Sequence, residues 1–143
     1  MSGARLEQIE DLVTGMLVDL GLPPEPLGEG LFAFQYGGTV LLVSLFSASG
    51  QGWVRIATTL LKDFRPNLEL VTRVLRLNTE VLLGSFLIFE DDTLTFAITL
   101  PGVGLQAEVF GLALDHVARI SCAYGEELRA IAGGRLASDI IAE

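Results

Sequence analysis

The side chains most able to do chemistry are one histidine and one cysteine, His116 and Cys122, which lie in a segment of helical pattern. A thiol nucleophile and its histidine base must lie within hydrogen-bond reach of each other. On a helix, this separation turns the second side chain by about 600°, which leaves it about 120° away from the first. The spacing therefore predicts no catalytic pair. We expect His116 to face solvent and Cys122 to be a small residue near the packed face.

Metal and phosphate sites are also predicted to be absent. A structural zinc site needs four cysteine, histidine or carboxylate ligands. The run Glu90-Asp91-Asp92 lacks the spaced ligands of a calcium loop, and its place between two strand-like runs favours a hairpin turn. Gly102-Val103-Gly104 precedes a helix but matches no glycine-rich phosphate motif, and no nucleophile elbow around a serine occurs. The sequence therefore predicts a protein that is not an enzyme and binds no metal or organic cofactor.

Charge and hydropathy favour protein partners. The formal net charge is -9, which repels nucleic-acid phosphates and attracts basic partners, although a solvated acidic surface would give the same balance. Half of the residues are hydrophobic, yet no run reaches the ~20 apolar residues of a membrane-spanning helix. We therefore expect no nucleic-acid or membrane binding, and an apolar surface that contacts other protein chains.

Length and cysteine usage indicate the organisation and compartment. The 143 residues suit a single domain, 1–143, whose tail 133–143 either docks as a short helix or frays. The N-terminal residues show no pattern of a secretory signal. Since a single cysteine cannot form an internal disulfide, we expect a reducing, cytoplasmic location.

Three helices are predicted from apolar spacing. The first runs from about Leu6 to Leu20 and is stopped by Gly21 and Pro23-Pro24. The second runs from Arg65-Pro66-Asn67 to about Leu83, with Gly84 as its C-terminal cap. The third is long, follows Pro101 to Gly104, and is broken at Gly133-Gly134.

Five strands are predicted between these helices: Leu31 to Tyr36, Thr39 to Phe46, Trp53 to Leu61, Ser85 to Phe89 and Leu94 to Leu100. Gly37-Gly38 is a strong hairpin signal because both glycines tolerate positive φ. The element order is α-β-β-β-α-β-β-α, in which strands and helices do not alternate one to one. The fold class is therefore α+β, an antiparallel sheet with helices packed on it.

The segment 75–88, LRLNTEVLLGSFLI, is followed by acidic residues and then by the last predicted strand. A helix that ends in a leucine-rich Leu-Asn segment and leads into a Gly-x-Phe strand and a hairpin resembles the YbjN family. The element order resembles the type III secretion chaperones, whose fold that family shares. The resemblance implies a dimeric protein-binding domain of this fold, with no catalytic residues to carry over.

Two surfaces are predicted to make contacts. The apolar arc of the second helix is wider than one sheet face can cover, which predicts a homodimer interface made by five residues: Leu68, Val71, Leu75, Phe86 and Ile88.

In the third strand, alternation puts Trp53 and Arg55 on the face opposite the core. Both types are frequent anchors at interfaces, so we expect them to bind a partner together with the acidic residues Glu90, Asp91 and Asp92. The alternative for Trp53 is packing in the dimer or under a loop.

The leading hypothesis is a non-enzymatic, chaperone-like module that acts as a homodimer on segments of partner proteins, and the net charge favours basic ones. The alternative is a regulatory domain of a signalling or stress pathway that binds a small ligand or a protein partner. A partner captured from the native cell would favour the first, and a thermal shift caused by one metabolite would favour the second.

Overall fold

A computed structural model describes residues 3–136, which form three helices and a seven-stranded antiparallel sheet. The elements are α1 (Gly3–Asp19), β1 (Glu25–Gly28), β2 (Leu31–Tyr36), β3 (Thr39–Ala48), β4 (Gln51–Lys62), α2 (Leu68–Glu80), β5 (Ser85–Ile88), β6 (Leu94–Pro101), α3 (Ala107–Ala132) and β7 (Arg135–Leu136). All eight predicted elements are present in the predicted order, so the α+β class is confirmed. Residues 137–143 of the predicted tail lie outside the described range.

Two short strands were missed by the sequence analysis. β1 has the sequence EPLG and β7 has only two residues, and neither shows the alternation by which a half-buried strand is recognised. β1 pairs with β2 at the edge of the sheet, and β7 pairs with the end of β4. Both depend on a neighbouring strand rather than on a pattern of their own.

The sheet order is β1-β2-β3-β4-β6-β5, with β7 beside β4. The predicted hairpin turn between β2 and β3 is confirmed, since Gly37 and Gly38 have φ values of 56° and 84°. β4 is the central strand and pairs with both β3 and β6 over most of its length. It therefore holds the residues of its two faces in fixed register with both neighbours.

The core lies between one face of this sheet and the three helices. Apolar side chains of α1, α2 and α3 join those of the sheet in one buried cluster, whose largest fully buried members include Phe96, Phe110, Leu17, Leu41 and Ile56. In β4 the set that faces the core is Val54, Ile56 and Leu60, as alternation predicts. The opposite set, which begins with Trp53 and Arg55, points away from the helices.

α2 begins and ends differently from the prediction. Its N-cap is Asn67, whose side chain accepts a hydrogen bond of 2.8 Å from the Leu70 amide. Its last residue is Glu80, because Val81 already has extended backbone angles. Gly84 is therefore not the cap of this helix. A Cβ at Gly84 would lie 2.6 Å from the Ala97 carbonyl oxygen, so glycine is required there by the close approach of the chain to β6.

Candidate functional site

The sheet face that points away from the helices, called here the open face, is the first candidate surface. No described helix contributes to it, because the large buried side chains of α1, α2 and α3 belong to the cluster on the other side. Across β2 to β6 its residues are Leu31, Ala33, Gln35, Val40, Leu42, Ser44, Phe46, Trp53, Arg55, Ala57, Thr59, Ser85, Leu87, Thr95, Ala97 and Thr99. Most of them are half-buried, and the majority are apolar or small.

A corner of the open face is built from two aromatic rings and an arginine. Phe46 and Trp53 are directly paired across β3 and β4. The Trp53 indole Nε1 donates a hydrogen bond of 2.9 Å to the Ala48 carbonyl oxygen, which fixes the ring over the end of the hairpin. The Arg55 guanidinium carbon lies 4.9 Å from the centre of the Phe46 ring. The sheet register therefore brings the two predicted anchors, Trp53 and Arg55, onto one surface.

The acidic residues predicted to join this surface lie at its far end. Glu90, Asp91 and Asp92 are exposed in the turn between β5 and β6, as predicted for a hairpin turn. Trp53 pairs with Pro101, at the opposite end of β6. The seven strand steps from Leu94 to Pro101 span about 24 Å. A single side chain of a partner cannot contact both groups, whereas an extended segment of about eight residues can.

The second candidate surface is a row of exposed side chains on α2, called here the α2 stripe and made of Leu68, Val71 and Leu75. Leu68 is 83% exposed and Leu75 is 62% exposed. The other flank of the helix is tied to α3 by Arg73 and Glu127, so the stripe points away from α3. Leu82, Leu83 and Phe89, which follow along the chain, are also exposed.

Phe86 does not belong to a dimer interface, which corrects the prediction. Its side chain is 3% exposed and packs inside the core, with its ring 5.0 Å from that of Phe96 and 6.0 Å from that of Tyr124. Ile88 is half-buried and packs against the same core. Since β5 pairs only with β6, alternation sends Phe86 and Ile88 to the helix side and Leu87 to the open face.

An asparagine covers the outer edge of β5. The Asn78 Oδ1 accepts a hydrogen bond of 2.7 Å from the Phe86 amide, and its Nδ2 donates one of 3.3 Å to the Phe86 carbonyl oxygen. The Asn78 side chain, which comes from α2, thus takes the place of a strand that could otherwise pair with this edge. Residues that satisfy a strand edge in this way protect a sheet from unwanted pairing.

The predicted surroundings of His116 and Cys122 are reversed. His116 is half-buried, its ring lies 5.9 Å from that of Phe96, and its Nε2 is buried without a hydrogen-bond partner in the described part of the chain. Cys122 is exposed, and its thiol lies 3.6 Å from the Gly37 carbonyl oxygen.

Among residues 3–136, no group of three or more histidine, cysteine or acidic side chains is placed to hold a metal ion. Within the same residues, no helix is long and apolar enough to cross a membrane. Two shallow cavities of about 230 Å³ and 470 Å³ lie beside α3 and beside the α1–β1 loop, respectively.

One ion pair joins α2 to α3. The Arg73 Nε and Nη2 donate to the two carboxylate oxygens of Glu127 over 2.7 Å and 3.2 Å. This hydrogen bonding raises the pKa of Arg73 and lowers the pKa of Glu127 below its ordinary value. The pair is exposed to solvent, so it fixes the angle between the two helices more than it adds stability.

Comparison with known proteins gives one family and several similar folds. The model of a family described as T3SS (YopN, CesT) and YbjN peptide-binding chaperone 1 matches residues 7–140. No match is found among curated proteins.

Three solved structures share the fold at low sequence identity. YbjN from E. coli is 15% identical, with a TM-score of 0.58, 82% of this chain and 91% of that chain being covered. ExsC in the ExsC-ExsE complex is 13% identical, with a TM-score of 0.66 and coverages of 86% and 95%. A protein from Methanothermobacter thermautotrophicus is 12% identical, with a TM-score of 0.63 and coverages of 87% and 99%. The predicted secretion-chaperone-like fold is thereby confirmed.

Proposed function

We propose that this chain, which belongs to the TY-Chap1 family of type III secretion and YbjN peptide-binding chaperones, holds extended segments of partner proteins on its open face and catalyses no reaction. The observation that carries the proposal is the open face itself, an apolar sheet surface on which no described helix packs. Neutral and apolar strand surfaces of this kind bind other chains when they remain uncovered.

The aromatic corner supplies the anchor for such a segment. Trp53 and Phe46 offer apolar area, and the indole hydrogen bond to Ala48 holds the Trp53 ring in place before a partner arrives. An anchor that is already ordered loses less side-chain entropy on binding. Aromatic side chains in this setting commonly contribute most of the binding free energy at an interface.

The acidic turn is the proposed second contact. Glu90, Asp91 and Asp92 would attract basic residues at the far end of a bound segment, about 24 Å from Trp53 along β6. This contact is solvent-exposed, so added salt should weaken it. It would orient the segment more than hold it.

A homodimer formed through the α2 stripe completes the proposal. Exposed apolar area costs about 25 cal/mol per Å², and Leu68, Val71 and Leu75 present such area along one flank of one helix. A second copy of the same helix, related by a two-fold axis, would cover the stripe with matching side chains. Binding of a partner other than a second copy has a precedent in another protein of similar fold, since ExsC was crystallised in complex with ExsE.

The single tryptophan allows a direct test of the open face. Peptides selected on the purified chain from a random dodecapeptide display library should change Trp53 emission in a saturable titration, because the ring loses water when covered. An exposed control position, Leu112→Trp in a Trp53→Phe background, should not respond to the same peptides. Peptides that bind tightly without changing Trp53 emission would show that the segment lies on another surface.

A further inference from the structure

We propose that the open face selects segments that carry an aspartate or glutamate, which Arg55 binds. This inference rests on the proposed function and names the chemistry of the segment. It differs from what the net charge of -9 indicates, because the charge beside the aromatic corner of the open face has the opposite sign to that of the whole chain.

Arg55 is held in position by two contacts that leave most of its donors available. Its Nε donates a hydrogen bond of 3.1 Å to the Thr99 Oγ1, and its guanidinium lies over the Phe46 ring. An arginine has five N–H donors, so Thr99 uses one of them. The two terminal amino groups can donate two parallel hydrogen bonds to the oxygens of one carboxylate.

No carboxylate of the described residues pairs with Arg55. The ion pairs among residues 3–136 involve Arg73, Arg119, Arg129 and Arg135. The residues next to Arg55 on the open face are Ser44, Ala57 and Thr99, none of them charged. Although the chain has 18 acidic residues, none of those in the described part forms an ion pair with Arg55.

The other charges of this surface lie far from Arg55. Glu25 lies on the edge strand β1, three strands away, which is about 14 Å at ordinary strand spacing. Lys62 lies at the far end of β4, seven steps or about 24 Å away. A segment on this face meets one positive charge in a neutral, apolar surrounding, where a charge-assisted hydrogen bond is stronger than in water.

The arrangement predicts a sequence pattern for the bound segment. Alternate side chains of an extended segment point to the same side, so an acidic residue at Arg55 places an apolar residue two positions away near Trp53 or Phe46. A basic residue that reaches Glu90 to Asp92 would be about five residues further along the segment, since Arg55 pairs with Thr99. The expected pattern is therefore an acidic residue beside an apolar one, with basic residues only at a distance.

The test is the selection of the same dodecapeptide library on three chains: the unchanged protein, Arg55→Glu and Arg76→Glu. Arg76 is an exposed arginine of α2 without an ion pair among the described residues, so its substitution makes the same change of charge elsewhere. Peptides selected on the unchanged protein should be enriched in acidic residues. Replacing the acidic residue of a selected peptide by glutamine should weaken its binding to the protein about tenfold. Arg55→Glu should prefer lysine or arginine at the same position, whereas Arg76→Glu should retain the acidic preference.

Three outcomes are distinguishable once circular dichroism has shown that each variant is folded. Reversal of the preference by Arg55→Glu alone supports the inference. Peptides that bind without acidic enrichment, or whose enrichment survives Arg55→Glu, overturn the inference and leave the proposed function standing. A chain that selects no peptide overturns both. Should Arg55→Glu not fold, Arg55→Gln removes the charge, keeps a hydrogen-bond donor for Thr99, and should abolish the preference.

Discussion

The α2 stripe and the open face are both apolar, but they expose their side chains in different ways. Leu68 and Leu75 stand out from a helix with more than half of their surface in water. The residues of the open face, apart from those on the edge strand β5, are flanked by neighbouring strands on both sides, and most of the face is half-buried before any partner arrives. The stripe thus has more to gain per residue from being covered, since the gain follows the apolar area removed from water.

This difference favours two kinds of partner. A surface that is costly to expose favours a permanent contact, and a second copy of the chain is always available at the same concentration. A surface that tolerates water and holds an ordered Trp53 and Arg55 suits a partner that binds and leaves. We therefore propose the α2 stripe as the contact of a homodimer and the open face as the surface that binds an exchanging segment.

The double substitution Leu68→Glu and Leu75→Glu should break this assignment most clearly. Two carboxylates placed on the proposed two-fold contact should raise the dimer dissociation constant about a hundredfold or more. Light scattering after size exclusion should change from twice 15.3 kDa to 15.3 kDa. The control is Leu112→Glu, a leucine of α3 that is 63% exposed, which should leave the dimer intact. An unchanged chain that is already monomeric at micromolar concentration would contradict the assignment.

The open face should respond to Trp53→Ala without any change of oligomeric state. Loss of this anchor should weaken a selected peptide by about 2 kcal/mol or more, roughly thirtyfold. The measurement is the fluorescence anisotropy of a labelled peptide. Leu112→Ala serves as the matched control, because it removes apolar area from an exposed side chain outside the open face. Equal weakening by the two variants would remove the distinction between the open face and the rest of the surface.

Asn78 joins α2, which carries the stripe, to β5, the edge strand of the sheet. Asn78→Ala leaves the Phe86 amide and carbonyl without their side-chain partner, which should cost about 1 to 2 kcal/mol in the free energy of unfolding. The substitution also exposes the edge of β5 to other chains, so the protein should associate and its light scattering should rise with protein concentration. Asn78→Asp retains the acceptor for the amide but lacks the donor for the carbonyl, and should fall between the two in urea unfolding. Equal stability of all three chains would mean that water replaces the side chain.

The sequence predicts those parts of the fold that have a period of their own. The helices and the strands β2 to β6 follow from apolar spacing, and Gly37-Gly38 fixes the hairpin between β2 and β3. β1 and β7 could not be predicted because each owes its conformation to a partner strand. Phe86 was misplaced because a four-residue strand in an apolar run gives no sign of which face is buried.

The candidate site was predicted in its residues but not in its geometry. Alternation alone puts Trp53 and Arg55 opposite Val54 and Ile56, and the structure agrees. The distance between Trp53 and the acidic residues Glu90 to Asp92 depends on which end of β6 lies beside Trp53. Only the pairing of β4 with β6 decides this, and the sequence does not show it. Asn78 belongs to the Leu-Asn segment by which the sequence resembles the YbjN family, whereas its two hydrogen bonds to β5 depend on the tertiary structure.

The ion pair between Arg73 and Glu127 should have the smallest effect, and its pH dependence has a definite sign. Its hydrogen bonds lower the pKa of Glu127 in the folded chain below the ordinary value of 4.5. The unfolded chain therefore binds the proton more readily, so the stabilisation is complete above the ordinary pKa and is lost as pH falls through the lower, folded one. Glu127→Gln should lower the melting temperature slightly at neutral pH and match the unchanged protein in acid. Glu126→Gln is the control, because Glu126 pairs with Arg129 within α3 and does not join two helices.

If the ion pair between Arg73 and Glu127 holds the α2 stripe in position, Glu127→Gln should also weaken the dimer slightly, while peptide binding to the open face stays unchanged. A change confined to peptide binding would instead mean that the orientation of α2 affects the open face of the sheet and not the dimer contact.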